Sequence, residues 1–142
     1  MIIVDTNVVS EPMKAGADPA VAAWLDRQAA ETLYLTAVNL AELLVGVETL
    51  PAGRRKSGLR AGLAELVTSL FGPRILPFDA EAAKTYATLV ARARSAGHVI
   101  AVADGQIAAI AATHGFMVAT RDVAPFEAAG VKVIDPWRAG RE

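Results

Sequence analysis

Ile2-Ile3-Val4-Asp5 opens the chain with a short, wholly apolar run that stops on a carboxylate. A run this short and uniformly apolar fits a strand buried on both faces of a parallel sheet, ending where such a strand leaves the sheet. Further along, Leu33-Tyr34-Leu35, Ile75-Leu76, Met117-Val118-Ala119 and Val131-Lys132-Val133-Ile134 read as strands too. Between them the pattern turns helical. Asp18-Pro19 supplies an N-cap and a first helical position for a helix over 19–28, and Thr36 caps another over 37–47. Pro51-Ala52-Gly53 breaks that helix, and Arg54-Arg55-Lys56 reads as a solvated loop leading into a helix over 59–70 that Gly72-Pro73 stops. Asp79 caps a helix over 80–96 closed by Gly97, and a second over 102–114 closes at Gly115. Strands alternating with helices predict an α/β fold: a three-layer α/β/α sandwich around a mostly parallel sheet of four or five strands, as one domain over 1–142.

Composition bounds the function. A chain of 142 residues can bury about two-thirds of its unfolded surface, so it needs no covalent staple. It has no cysteine, which excludes disulfides, thiolate zinc sites and cysteine nucleophiles and leaves oxygen and two histidines as ligands. The first residues carry no basic flank and no long apolar segment, so neither a signal peptide nor a membrane span is expected, and a soluble cytoplasmic protein is. A hydrophobic fraction of 54% is high for a monomer this small and points to an apolar face covered by a partner or a second copy. The net charge of −1 argues against a broadly basic nucleic-acid surface. Metal held by acidic side chains would turn that balance positive, and Arg54, Arg55, Lys56 and Arg60 already form a local basic cluster.

Four acids stand out by position. Asp5 and Asp122 lie just past strands, while Glu42 and Asp104 fall in the first turns of helices. Strand C-termini and helix N-termini share one edge of a parallel sheet, where α/β folds place their ligands. Taken singly, Asp5 suits an Asx-turn as well as catalysis, Asp104 suits the positive end of a helix, and Asp122 sits in ordinary loop chemistry. Glu42 interrupts the apolar stretch Leu40-Ala41-Glu42-Leu43-Leu44-Val45 and is expected to be partly buried, a costly state for an unpartnered carboxylate. Clustered carboxylates raise one another's pKa unless a cation holds them ionised. All-oxygen ligation suits Mg²⁺ or Mn²⁺, and that chemistry is phosphoryl-ester cleavage.

His98 and His114 read as polar helix-end residues, and Trp24, Tyr86 and Phe126 as core or interface.

The ordered set Ile3-Val4-Asp5-Thr6-Asn7-Val8-Val9-Ser10-Glu11, Leu40-Ala41-Glu42-Leu43, Ala103-Asp104-Gly105-Gln106-Ile107-Ala108-Ala109-Ile110-Ala111 and Ala119-Thr120-Arg121-Asp122 resembles the successive motifs of PIN-domain ribonucleases. Within them it resembles the toxin half of VapBC-type toxin–antitoxin pairs, in particular the FitB-like branch, which often ends in a Pro-Trp like Pro136-Trp137. The resemblance implies that Asp5, Glu42 and Asp104 hold Mg²⁺ or Mn²⁺ with Thr120 as a hydroxyl beside them. It also implies an RNA substrate and a cognate antitoxin that blocks the site and meets DNA on the toxin's behalf. The apolar excess, with alanine-rich helices whose small side chains permit close packing, predicts a homodimer, and the short apolar runs predict no membrane contact. At the fourth motif the chain departs from the pattern: Asp122 holds the place of an Asn, and Pro125 that of an acid. Asp122 is expected to take over the missing charge.

Two rivals differ in class. A HAD-type phosphatase needs a second aspartate two residues after the first, where this chain has Asn7. A catalytically silent interaction module would keep the PIN fold without the chemistry.

Overall fold

The computed structural model describes residues 1–139. Five strands form one wholly parallel sheet: β1 (Ile2–Val4), β2 (Leu33–Thr36), β3 (Ile75–Leu76), β4 (Met117–Ala119) and β5 (Val133–Ile134), in the order β3-β2-β1-β4-β5. Ile2 pairs with Leu33 on one side and Met117 on the other, so β1 is the central strand. Its side chains alternate between two cores. Val4 joins Leu33, Leu35 and Ala119 on one face, under α1 (Thr6–Ser10), α2 (Pro19–Arg27), α3 (Ala37–Glu48) and α4 (Arg54–Leu66). Ile3 and Val118 face the other, against α5 (Ala80–Ser95), α6 (Val102–His114) and α7 (Val123–Ala128). Strands covered on both faces must be apolar at every position, which is why their sequences show no alternation. The expected three-layer sandwich is the one observed.

Chain order reverses its direction of growth between β1 and β4. At such a switch point the loops leaving two neighbouring strands part, opening a crevice beyond their carboxyl ends. Asp5 follows β1 and Thr120 follows β4, so both flank it.

Local signals explain most of the helix ends. Asp18, Thr36 and Asp79 each cap a helix with a side-chain oxygen, accepting from the backbone of Ala20, Asn39 and Ala82. Gly115 closes α6 at φ +69°, the left-handed conformation that favours glycine. Two expectations are corrected. The basic Arg54-Arg55-Lys56 is not a loop: it forms the first turn of α4, which runs on through a π-helical turn, Val67–Phe71. Cations at a helix start oppose the dipole, so the sequence argues against a helix there, but Lys56 donates to the Glu48 carbonyl and Arg60 pairs with the Glu48 carboxylate. The short helices α1 and α7 give no periodic signal and were not expected.

Trp24 and Phe126 lie in the core and Tyr86 packs edge-on against Phe78, while His114 ends α6, as read. Among the described residues no helix is long and apolar enough to cross a membrane.

Candidate active site

Asp5 is held from several sides. Its backbone N–H bonds the Ala119 carbonyl of β4, and its side chain, 5% exposed, caps α1 by accepting from the Thr6 N–H at 2.9 Å. The same oxygen, Oδ1, accepts from Asn39 Nδ2 at 3.0 Å, and Oδ2 accepts from the Thr120 hydroxyl at 2.7 Å. Burial pushes the Asp5 carboxyl above its ordinary value, while the bonds from Thr120, Thr6 and Asn39 oppose that shift.

Thr120 is fully buried and acts as a hub. It gives its proton to Asp5 and accepts from the Asp122 N–H at 3.0 Å and from Asn7 Nδ2 at 3.4 Å. A hydroxyl has one proton and two lone pairs, so Thr120 has none left over for a substrate.

Asp104 is half-buried in the first turn of α6. Desolvation first, then the charges of Asp5, Asp122 and Glu42, push its carboxyl up to about 6. Three acids from distant parts of the chain therefore act on Asp104. Gly105 lets α6 seat closely: a Cβ there would lie 2.8 Å from the Tyr86 ring of α5.

Glu42 is exposed, which corrects the expectation of partial burial. The apolar stretch around it buries only the Leu43 and Val47 side of α3, leaving Leu44 and Val45 46% and 60% exposed. Glu42 accepts from the Thr6 hydroxyl at 2.9 Å, and Thr6 in turn accepts from Asn39 Nδ2 at 3.1 Å. Asp122 is also exposed; it precedes α7 without capping it, and its charge reaches both Asp5 and Asp104.

Among the described residues none of the four acids forms an ion pair, and no three of the His, Asp or Glu side chains stand close enough to hold a metal directly. The donors nonetheless fit a hard cation by chemistry. They are all carboxylate oxygens, they repel one another without compensation, and Mg²⁺ commonly keeps waters between itself and outer carboxylates.

Asn39, Asn7 and Thr6 belong to this site but were given no role in it from the sequence. Asn39 sits at the third position of α3, where it reads as helix filler. Asn7 bridges the two flanks of the crevice, donating to Thr120 and accepting from the Arg121 N–H at 3.3 Å. Arg121 itself is exposed and lies over the Trp137 ring at 5.1 Å.

The model of the PIN domain family matches residues 2–132. VapC ribonuclease Y4jK of Sinorhizobium fredii is 53% identical over 137 residues, covering 96% of this chain and 98% of that protein. Toxin FitB of Neisseria gonorrhoeae is 46% identical, covering 96% and 99%. Among solved structures, FitAcB from Neisseria gonorrhoeae superposes with a TM-score of 0.93 at 46% identity over 96% of this chain and 99% of that one. The structure described as FitAB bound to an IR36 DNA fragment gives 0.93 at 44% identity, covering 96% of each chain.

Proposed function

The chain belongs to the PIN-domain family, and from that premise we propose that it is an Mg²⁺- or Mn²⁺-dependent ribonuclease, the toxin of a VapBC-type toxin–antitoxin pair. The observation that carries the reading is Asp104, pushed up to about 6 by burial and by three other carboxylates beside a parallel-sheet switch point. Asp5 and Asp104 would hold the ion from the buried side, with Glu42 and Asp122 at the rim. Held there, Mg²⁺ or Mn²⁺ would lower the pKa of a water so that it can lose a proton and act as nucleophile on a phosphodiester, and would supply charge to stabilise the leaving oxygen. Asp5 is oriented by its three donors, and Thr120 serves as a positioning group rather than a nucleophile, because its proton is committed. Arg121, laid on Trp137 and free of carboxylate partners among the described residues, is suited to a phosphate of the RNA flanking the scissile bond.

The partners follow from the surface. An apolar groove of about 320 Å³ is lined by Thr6 and Glu42 together with Met13, Leu43, Val47 and Leu59, and would take apolar side chains of an antitoxin segment lying beside the site's rim. Contact with DNA belongs to the antitoxin in this reading. The exposed Leu44 and Val45 of α3, with Val99 in the loop before α6 and Val102 at its start, suit a second copy of the chain. We place the protein in the cytoplasm and treat residues 1–142 as a single PIN domain.

Cleavage of RNA by the purified protein tests the proposal. It should require Mg²⁺ or Mn²⁺ and stop with EDTA; a protein that binds RNA but never cleaves it would instead be the silent PIN-fold module. Light scattering should give a dimer, and a strict monomer at micromolar concentration with no co-purifying partner would count against the assembly.

A further inference from the structure

Asn39 is fully buried and makes its hydrogen bonds in two directions. Its Oδ1 accepts from the Thr36 hydroxyl at 2.6 Å and from the Thr36 N–H at 3.3 Å, while its own N–H donates back to that hydroxyl at 3.0 Å. This is a capping box that fixes the start of α3. The amide nitrogen points the other way, to Asp5 Oδ1 and to the Thr6 hydroxyl. A flipped amide would set its NH₂ against the Thr36 N–H and its oxygen against the Asp5 carboxylate, so one orientation satisfies the network.

A helix cap needs only the oxygen. The two amide protons do something else: one reaches Asp5 directly, and the other reaches Glu42 through Thr6, whose hydroxyl donates to Glu42 Oε1. Asn39 thereby ties the acid at the end of β1 to the acid on α3. It also restricts Asp5. A carboxylate offers roughly four lone-pair positions, and Asp5 fills both on Oδ1, with Thr6 and Asn39, and one on Oδ2, with Thr120.

Resting on the metal-dependent ribonuclease reading, we propose that Asn39 is a positioning residue that registers Asp5 against Glu42 and leaves Asp5 a single lone pair, on Oδ2, for the cation. Asp5 is then a one-oxygen ligand of fixed direction. Outer partners that aim a ligand in this way commonly change metal affinity by about 10–100-fold when lost.

The test compares Asn39→Leu, which keeps the shape without the polar atoms, with Asp79→Ala, which removes the cap of α5. Both should melt at lower temperature than the wild type. Calorimetric titration with Mn²⁺, well below either melting point, should show about tenfold or weaker affinity for Asn39→Leu and wild-type affinity for Asp79→Ala. Cleavage by Asn39→Leu should lose kcat with little change in KM. Equal Mn²⁺ affinity in the two variants would overturn the proposal and reduce Asn39 to a helix cap, whereas a wild type that binds no Mn²⁺ would sink the metal reading itself. Should Asn39→Leu not fold, the wild type carries the test: adding Mg²⁺ should shift the side-chain amide nitrogen resonance of Asn39, because the ion shares the charge that polarises it. An unmoved resonance during saturation overturns the proposal.

Discussion

The two halves of the acidic site are built differently. Asp5 lies buried with three donors on its carboxylate, and its partners Thr120 and Asn39 are fully buried too. Glu42 and Asp122 are exposed; one carboxylate is held by a single threonine hydroxyl, and the other leaves α7 uncapped. Asp104 stands between them, half-buried and short of compensation. The contrast separates a rigid floor, where direction is set before any ligand arrives, from a rim whose carboxylates can move to meet an ion or a phosphate. Preorganised groups lose nothing in reorganisation when the reaction occurs, so the floor should dominate the rate and the rim the response to metal concentration.

The largest effects should therefore come from Asp5 on the floor and from the half-buried Asp104 beside it. Asp5→Asn and Asp104→Asn should each lower RNA cleavage by on the order of 10²-fold or more, measured under single-turnover conditions with saturating Mn²⁺. Cleavage by either variant at the wild-type rate would remove it from the site. Next comes Thr120→Val, which keeps the shape but takes a donor from Asp5 and an acceptor from the Asp122 N–H. We expect about a tenfold loss of metal affinity and a destabilisation of about 1–3 kcal/mol, read by calorimetry and chemical unfolding. A variant as stable and as metal-avid as the wild type would show that the floor does not depend on its hub.

The middle position of Asp104 has its own signature. Its carboxyl is raised from 3.8 to about 6, so the folded, metal-free protein holds that proton more tightly than the unfolded chain does. The resulting stability is present in full below the unfolded value and is lost as pH rises through about 6. Asp5, also raised, works in the same sense. Glu11 works in the opposite one, since its bond from Lys14 holds its carboxyl low and that contribution is lost as pH falls. Melting temperatures of wild type and Asp104→Asn should therefore be compared as a difference. Without metal the variant should gain on the wild type as pH rises through about 6, and Mg²⁺ should narrow the gap at neutral pH. A pH-independent difference would mean that Asp104 does not feel its neighbours.

Smaller effects belong to the rim. Asp122→Ala should raise the metal concentration needed for half-maximal cleavage and lower the rate by several-fold, roughly the low end expected for an outer carboxylate. Asp122→Asn should be milder, because it keeps an oxygen of the same shape. Unchanged metal dependence in the alanine variant would leave a three-acid site with Asp122 as a loop residue. The smallest change is expected from Arg121→Ala, where losing one phosphate contact should raise KM about two- to threefold, reduce the salt dependence of binding and leave kcat intact. A fall in kcat instead would move Arg121 from substrate binding into the chemistry.

Much of this was open to reading from the chain alone, for a local reason. Four of the five strands, β1, β2, β4 and β5, are short apolar runs ended by polar residues, and Asp18, Thr36, Asp79 and Gly115 announce helix ends through interactions that span only a few residues. Asp5, Glu42, Asp104 and Asp122 could be picked out because a parallel sheet gathers strand ends and helix starts at one edge. What failed depended on contacts beyond a single helical turn. The helical start at Arg54 rests on Glu48, across a break in the helices. The exposure of Glu42 rests on which side of α3 meets the sheet, which an unbroken apolar stretch does not reveal.

Asn39 marks the boundary most sharply. By sequence it is one polar residue near a helix start, and its local role as the partner of Thr36 is a matter of spacing. Its bond to Asp5 joins residues 34 apart, and the bond from Thr120 to Asp5 joins residues 115 apart. Periodicity and capping carry information over one helical turn, so they determine which elements form and which acids end them. The direction in which the Asp5 carboxylate faces is decided only when β1, β4 and α3 have packed, because the donors that aim it come from the start of α1, the end of β4 and α3.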